Sequence, residues 1–230
     1  MKIAIISDLH GNHYALEEVL KEARIEKIEK ILVLGDIVGY FYNPEKIFDL
    51  LSKWNYILIQ GNHERLLAKI ISGEMKEVDV KKKYGSGHRA AIKKLSKDQL
   101  DTLINAPESL LIEEENIKIL MCHGAPWNPD FYIYPNSSED IMNRCNYPEI
   151  DFIFIGHSHY QFYRKNKHSI LVNVGSVGQS RLKGGVANWA ILNTKNKQIE
   201  LKSTPYCVNL LINEICNDDP KYLKEILLRS

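Results

Sequence analysis

Short apolar runs rich in β-branched residues recur along the chain, and each of them ends on polar residues. Five of these runs span residues 2–7, 31–34, 56–60, 117–122 and 152–155. Continuous apolar runs of this length predict strands that are buried on both faces. In open α/β sheets, ligands bind beyond the carboxyl ends of such strands. We therefore expect the polar residues after the five runs to meet at one edge of a sheet.

The residues that follow the five runs are of types that bind metal ions. They are Asp8, His10, Asp36, Asn62, His63, His123, His157 and His159. Taken singly, each is equally consistent with a cap or a core hydrogen-bonding group at the end of a strand. Taken together, they predict a metal site with nitrogen and oxygen ligands and no thiolate. Such a set suits Mn²⁺, Fe, Zn²⁺ or Ni²⁺ better than Mg²⁺ or Ca²⁺, which prefer oxygen ligands.

Helical patterns separate the first three runs. In residues 14–24 the apolar positions follow the period of an amphipathic helix. Pro44 suits the first turn of a second helix, which the pattern extends to residue 51. The alternation predicts a β-α-β-α-β unit with right-handed crossovers and a parallel sheet.

Residues 64–107 differ from the preceding part of the chain, because they are rich in lysine and helical in pattern. We interpret them as a helical, cap-like insertion that lies over the strand ends. His88 belongs to this insertion, and either a solvated helix face or a contact with substrate is consistent with its position. Residues from about 206 to 230 predict short terminal helices.

The remaining segments are mostly predicted strands. Residues 110–113 and 117–121 predict a hairpin, and 161–164, 170–174, 189–193 and 199–202 predict further strands. Residues 1–230 are therefore predicted to form a single α/β domain with four layers. In this α/β/β/α sandwich, two mixed sheets lie between two layers of helices.

Charge and composition limit the range of functions. The 230 residues carry 30 lysines and arginines against 29 aspartates and glutamates, a net charge of +1. This balance does not indicate binding to nucleic acid or to an anionic membrane, and no apolar run is long enough to span a bilayer.

Because a predicted strand begins the chain and carries ligands by residue 8, we expect no cleaved leader. The four cysteines form no CxxC pair, which favours free thiols in a reducing cytoplasm.

Five short motifs, in order along the chain, carry a resemblance to a known family. They are Asp8-x-His10, Gly35-Asp36-x-x-Gly39, Gly61-Asn62-His63-Glu64, His123-Gly124 and Gly156-His157-x-His159. Each motif is weak alone, but the ordered set resembles that of the calcineurin-like metallophosphoesterases, over residues 3 to about 185. Residues 7–12 and 173–179 are further similar to the small prokaryotic phosphodiesterase branch of that family.

The resemblance implies a two-metal site and a reaction. One metal would be held by Asp8, His10, Asp36 and His159, and the other by Asp36, Asn62, His123 and His157. Asp36 would bridge two divalent ions, with Mn²⁺ expected first and Fe, Zn²⁺ or Ni²⁺ as alternatives. A hydroxide between the metals would attack phosphorus in line. His63 would not be a ligand; it would protonate the leaving oxygen as general acid or stabilise the phosphoryl charge.

One position departs from the protein serine/threonine phosphatases of the same superfamily. Those enzymes have an arginine shortly after the second motif's aspartate, where this chain has Tyr40. Because that arginine is a bidentate phosphate ligand, its absence favours a phosphodiester or phosphoanhydride over a phosphoprotein. We expect Asn12 and Arg181 to be substrate contacts, and a small phosphoester or nucleotide to be the substrate.

Two alternative functions stay open at this point. A phosphomonoesterase or protein phosphatase would use the same ligands, and a scaffold protein of this fold would bind metal without catalysis. Aromatic residues also crowd the motifs, at 40–42 and at Trp127, Phe131, Tyr132 and Tyr134. They either stack a nucleobase or pack loops against the insertion.

Overall fold

The first sheet combines the three apolar runs at the start of the chain with two strands near its end. In the computed structural model, which describes residues 1–230, its strands are β1 (Lys2–Ile6), β2 (Lys30–Val33), β3 (Tyr56–Leu58), β9 (Val186–Asn193) and β10 (Gln198–Pro205). Their order across the sheet is β10-β9-β1-β2-β3. The first three strands are parallel, as their pattern predicts, whereas β9 is antiparallel to both of its neighbours.

The second sheet has antiparallel pairs at its edges and parallel pairs inside. Its strands are β4 (Ser109–Glu114), β5 (Ile117–Cys122), β6 (Phe152–Ile155), β7 (Gln161–Lys165) and β8 (Ile170–Val174), in the order β4-β5-β6-β8-β7. The pair β4–β5 is the predicted hairpin, and β6 is parallel to both β5 and β8. Since β5 and β6 are parallel, their carboxyl ends lie at the same edge.

Strand alternation explains why the apolar runs are continuous. In β1, Ile3 and Ile5 point into a core of 14 buried residues between the two sheets. Ala4 and Ile6 point the other way, into a core of 24 buried residues beneath helices α1 (His13–Ile25) and α2 (Pro44–Leu51). Neighbouring strand residues face opposite sides, so a strand covered on both sides needs apolar residues throughout.

Four helices follow β3, where the sequence predicts the insertion. They are α3 (Asn62–Ile71), α4 (Glu77–Tyr84), α5 (Gly87–Lys94) and α6 (Lys97–Asn105). The first of them begins at Asn62, two residues before the predicted start. Leu67, Ala91, Leu95 and Leu103 join the same core as α1 and α2. The segment is therefore packed onto the helical layer of the first sheet.

The outer face of the second sheet is covered mainly by loops. Its single helix is α7 (Glu139–Asn143), and a core of nine buried residues joins α7 and the preceding loop to the sheet. Trp127 and Phe131 pack against this core. The predicted α/β/β/α fold class is confirmed, and its fourth layer is thin.

The chain ends in two short helices, α8 (Val208–Ile212) and α9 (Tyr222–Leu227), close to the first sheet's loops. They form a fourth apolar cluster with Tyr40, Phe41 and Tyr42. The Tyr42 hydroxyl and the Ser86 hydroxyl both donate to the Asp219 carboxylate, at 2.6 and 2.7 Å. The C-terminal segment thus ties α5 to the loop after β2. No helix in the structure is both long enough and apolar enough to cross a bilayer.

Candidate metal centre

The structure brings together all eight polar residues that follow the apolar runs. Backbone hydrogen bonds join the loops that carry them: Asp8 donates to Gly35 O at 3.1 Å and His10 donates to Asp36 O at 2.8 Å. Gly156 donates to His123 O at 2.8 Å, which joins the two loops of the second sheet in the same way. The His157 amide donates to Asp8 Oδ2 at 3.0 Å and so links one sheet to the other. Seven of the eight residues are buried, and Asn62 is half-buried.

Five of these residues have left-handed backbone conformations, which non-glycine residues rarely adopt. The φ angles are 54° at Asp8, 51° at His10, 54° at Asp36, 64° at His157 and 60° at His159. Each such residue costs about 1–3 kcal/mol, and such strain clusters at functional sites. The turns aim side chains from consecutive loops at one point, so the strain itself marks this edge as a candidate site.

Two glycines make room for the carboxylates. A Cβ atom at Gly61 would lie 2.1 Å from Asp36 Oδ1, and one at Gly156 would lie 2.5 Å from Asp8 Oδ2. Both distances are far below van der Waals contact, so any side chain at either position would displace a carboxylate. The glycines that open the third and fifth motifs are explained by this close approach.

One group of ligand atoms surrounds the Asp8 carboxylate. His159 Nε2 lies 3.1 Å from Asp8 Oδ1, and His10 Nε2 lies 3.2 Å from His159 Nε2. His10 Nε2 is also 3.9 Å from Asp36 Oδ2. Asp8, His10 and His159 each offer one ligand atom, and these atoms lie within 4.8 Å of one another.

A second group surrounds the Asp36 carboxylate. His123 Nε2 lies 3.3 Å from Asp36 Oδ2, 3.0 Å from Asn62 Oδ1 and 3.1 Å from His157 Nδ1. Asp36 is therefore close to histidines of both groups, as a bridging ligand would have to be. The structure thus brings together the residues that the family resemblance divides into two ligand sets.

The outer nitrogen of each imidazole is held by a backbone carbonyl. The Nδ1 atoms of His10, His123 and His159 lie 3.2, 2.8 and 2.8 Å from the carbonyl oxygens of Val38, Leu34 and Gln179. If Nδ1 carries the proton, Nε2 turns its lone pair to the centre, which is the usual orientation of a metal-ligating histidine. His157 is reversed, with Nε2 3.2 Å from Asp130 O and Nδ1 facing inward.

The electrostatics of the cluster favour a cation at its centre. Burial works to raise the pKa of Asp8, but His159 and His123 outweigh it and the net shift is downward. Burial likewise works to lower the pKa of His123, but Asp36 and Asp8 raise it to about 9. Asp8 Oδ1 is buried and accepts no hydrogen bond. Two buried carboxylates surrounded by inward-facing nitrogens, with no thiolate, fit the binding of divalent cations.

Glu64 holds the turn that presents Asp36. Its buried carboxylate accepts hydrogen bonds from the amides of Asp36 at 2.7 Å, Ile37 at 2.8 Å and Gly61 at 2.8 Å. Burial and the nearby charge of Asp36 raise the pKa of Glu64 to about 7. The loop after β2 is thereby fixed to the start of α3. From its position in the sequence alone, Glu64 is equally consistent with a simple helix-start carboxylate.

His63 lies beside the cluster. Its imidazole packs edge to face on that of His10, with 4.8 Å between ring centroids, and its Nδ1 has no hydrogen-bond partner. Burial lowers the pKa of His63 below its usual range. Ligand atoms of His10, Asp36 and His63 lie within 4.8 Å of one another. The geometry alone thus allows His63 either a ligand's role or a chemical one.

Two residues of the insertion reach His63. His88 is buried, so the solvated helix face considered for it is wrong. Its ring stacks on His63 with 5.0 Å between centroids and 13° between planes, and its Nε2 lies 3.3 Å from His63 O. Tyr84 also packs on His63, edge to face, with 4.8 Å between the ring centroids. No local sequence signal identifies Tyr84, because its role depends on how α4 docks.

A cavity of about 310 Å³ opens beside the cluster. It is lined by five tyrosines, three of the histidines, Asp36, Asn62, Ser158 and Arg181. Arg181 therefore lies where a substrate contact was expected. Asn12 does not line the cavity, because its amide is used elsewhere: Oδ1 accepts from Ala15 N at 3.1 Å and Nδ2 donates to Gly178 O at 2.9 Å. Asn12 caps α1 and fastens it to the loop after β8.

Comparisons with known proteins bear on the class of this fold and site. Residues 1–197 match the family model of the calcineurin-like phosphoesterase superfamily domain. Uncharacterized protein MJ0912 of Methanocaldococcus jannaschii is 33% identical over 248 residues, covering 98% of this chain and 96% of that protein. Hypothetical protein PH1004 of Pyrococcus horikoshii OT3 has a similar structure, with a TM-score of 0.84 at 21% identity. A metallophosphoesterase of Sphaerobacter thermophilus gives 0.79 at 24% identity. In both comparisons, the matched region covers 99% of this chain and 98% of the other protein's chain.

Two packed mixed sheets with aspartates and histidines at their strand ends define a protein with the metallophosphoesterase fold. The chain belongs to the calcineurin-like phosphoesterase superfamily. The resemblance that the five motifs carry is confirmed at this level.

Proposed function

We propose that this protein is a metal-dependent phosphoesterase that hydrolyses a phosphodiester or a phosphoanhydride. Membership of the superfamily supports hydrolysis of phosphoric esters in general. One observation carries the finer proposal: the Nε2 atoms of His10, His123 and His159 each lie within 3.9 Å of the buried carboxylate of Asp8 or Asp36. The cluster opens directly into a cavity that a phosphoester could enter.

We assign the seven ligands to two divalent cations, with Mn²⁺ expected first. The set is Asp8, His10, Asp36, Asn62, His123, His157 and His159, with Asp36 shared by both ions. Such ions lower the pKa of a water molecule and neutralise charge on a phosphoryl group. The protein's own part is to hold the ligands in place, through the backbone carbonyls behind the imidazoles and through Glu64 behind Asp36.

Two residues outside the ligand set are assigned to the substrate. His63 faces the cavity, and we propose that it donates a proton to the leaving oxygen or stabilises the phosphoryl charge. Arg181 is the only lysine or arginine that lines the cavity, which makes it the natural partner of a phosphate oxygen. The four cysteines form no disulfide, and this supports a reducing, cytoplasmic location.

The metal requirement is tested on bis-p-nitrophenyl phosphate. We expect no release of nitrophenol from protein treated with a chelator and dialysed, and recovery when Mn²⁺ is added back. Asp49→Asn is a suitable control for the same substitution at the ligand Asp36, because Asp49 is exposed on α2. A parallel assay on p-nitrophenyl phosphate separates a diesterase from a monoesterase.

Each outcome has a clear meaning for the proposal. Full turnover by a metal-free sample would contradict the role of the cluster. Binding of two metal ions without turnover of any ester would favour the scaffold alternative. Faster hydrolysis of the monoester than of the diester would favour the phosphomonoesterase alternative.

A further inference from the structure

The wall of the cavity has an unusual composition. Five of its twelve lining residues are tyrosines: Tyr40, Tyr84, Tyr132, Tyr134 and Tyr160. No aliphatic side chain lines it, and Arg181 is its only lysine or arginine. An acyl chain would need aliphatic walls, which this cavity lacks. Aromatic rings with polar edges are the surfaces on which a planar, partly polar ring stacks.

The tyrosines form two groups, one packed on His63 and the other extending from His157. Tyr40 and Tyr84 pack on the ring of His63, at 4.9 and 4.8 Å between centroids. Tyr132 stacks on His157 at 3.8 Å between centroids, with 19° between planes. Tyr134 lies parallel to Tyr132 at 5.9 Å, and Tyr160 meets Tyr134 edge to face at 5.9 Å. The second group therefore leads away from the ligand His157.

The second group is open to solvent. Tyr132 is 47% exposed and Tyr134 is 40% exposed, although both belong to a loop that packs on the second sheet. Trp127 and Phe131 of the same loop turn instead into the core behind it. The loop thus uses its two non-hydroxylated aromatic residues for packing and presents its two tyrosines to the cavity.

A second depression, of about 250 Å³, adjoins the first. Asn62, Tyr84, Tyr132 and His157 line both of them and so form their common border. The second depression also contains Arg65 and Lys69. Because Asn62 and His157 belong to the ligand set, the border lies at the metal cluster. Two adjoining spaces that share these residues match a phosphodiester, which has two substituents on its phosphorus atom.

We propose that the substrate is a nucleoside phosphodiester whose base stacks on the Tyr132–Tyr134 wall. This assignment rests on the proposed phosphoesterase function. In the reaction, a water oxygen forms a bond to phosphorus and the bond to the second alcohol breaks. The alcohol leaves with a proton, and a nucleoside monophosphate remains. A cavity of this size suits one small molecule, and the base supplies the planar ring that the tyrosines match.

Two esters with the same leaving group test the proposal. They are the p-nitrophenyl ester of thymidine 5′-phosphate and ethyl p-nitrophenyl phosphate, assayed with Mn²⁺. Both release nitrophenol, so only the retained substituent differs. We expect the wild type to prefer the nucleoside ester. In Tyr134→Leu, the ratio of kcat/KM for the two esters should fall by about 5- to 150-fold, the equivalent of ~1–3 kcal/mol for one base on one aromatic ring.

Two further variants control for the ring and for a general effect. Tyr134→Phe keeps the ring face and should keep the ratio close to that of the wild type. Tyr163→Leu removes an exposed tyrosine of β7 that does not line the cavity, and it should change neither ester. As a readout without turnover, saturation transfer by NMR from the protein to the base protons of thymidine 5′-phosphate should weaken in Tyr134→Leu.

The outcomes distinguish this inference from the function on which it rests. If neither ester is hydrolysed although metal is bound, the phosphoesterase proposal fails and the nucleoside assignment fails with it. If both esters are hydrolysed and the ratio is the same in the wild type and in Tyr134→Leu, the phosphoesterase proposal stands and the nucleoside assignment is overturned.

Discussion

The metal cluster and the tyrosine wall of the cavity are built in opposite ways. Asp8, His10 and Asp36 follow parallel strands, are buried, and are held by backbone hydrogen bonds to neighbouring loops. Tyr132 and Tyr134 lie on a long loop and are partly exposed to solvent, at 47% and 40%. One region is fixed by the sheet on which it stands, whereas the other depends on how a loop packs.

This difference separates the chemistry from the choice of substrate. A rigid sheet edge holds the reacting groups at fixed distances, and catalysis depends on such positioning. Loops vary more easily and carry specificity on a stable scaffold. We therefore expect substitutions in the cluster to remove activity on every ester, and substitutions in the wall to change which ester is preferred.

The largest effect is expected for Asp36→Asn. Because Asp36 lies near histidines of both groups, this variant should lose affinity for both metals. Its rate should fall by more than about 10³-fold, which exceeds the effect of removing a single electrostatic contact to the transition state. His159→Ala should disturb mainly the site around Asp8. Elemental analysis of the purified variants measures the metal content. Selective loss of the same single metal in both variants would contradict the bridging role.

A loss of rate without a loss of metal is expected for His63→Ala. If His63 acts on the substrate and is not a ligand, both metals should remain bound while the rate falls by about 10²- to 10⁴-fold, the usual range for general acid–base catalysis. The measurement combines kcat on bis-p-nitrophenyl phosphate with metal content. Loss of one metal from His63→Ala would show that the imidazole is a ligand, which its 4.8 Å approach to His10 and Asp36 also permits.

The fold could be predicted from the sequence to a large extent, because its signals are local. Each buried strand is a short apolar run, and Pro44 marks the start of α2 at the observed residue. The ligands could be proposed for the same reason, since each follows such a run. The thin outer layer of the second sheet was harder to foresee, because it depends on how the loops between 123 and 150 and the short helix α7 pack on the sheet.

The residues around the ligands were harder to assign, because their roles depend on distant contacts. Glu64 accepts hydrogen bonds from backbone amides of the loop after β2. His88 reaches His63 only when α5 packs on the first sheet's helical layer. Asn12 illustrates the opposite error. It is close to the ligands in sequence, but the start of α1 and Gly178 use both of its polar atoms.

His88 lies between the two regions and offers the finest test of their separation. It belongs to the insertion, yet its ring stacks on His63 and its Nε2 contacts the His63 carbonyl. His88→Leu should lower kcat by about 2- to 10-fold, since an aromatic pair contributes ~0.5–1.5 kcal/mol, with KM and metal content unchanged. His88→Phe keeps a ring at this position and should recover much of the rate, and His168→Leu, at an exposed histidine, is the matched control. A change in KM without a change in kcat would instead assign His88 to substrate binding. Residues that determine which ester is preferred would then reach closer to the metal ligands than the backbone contacts indicate.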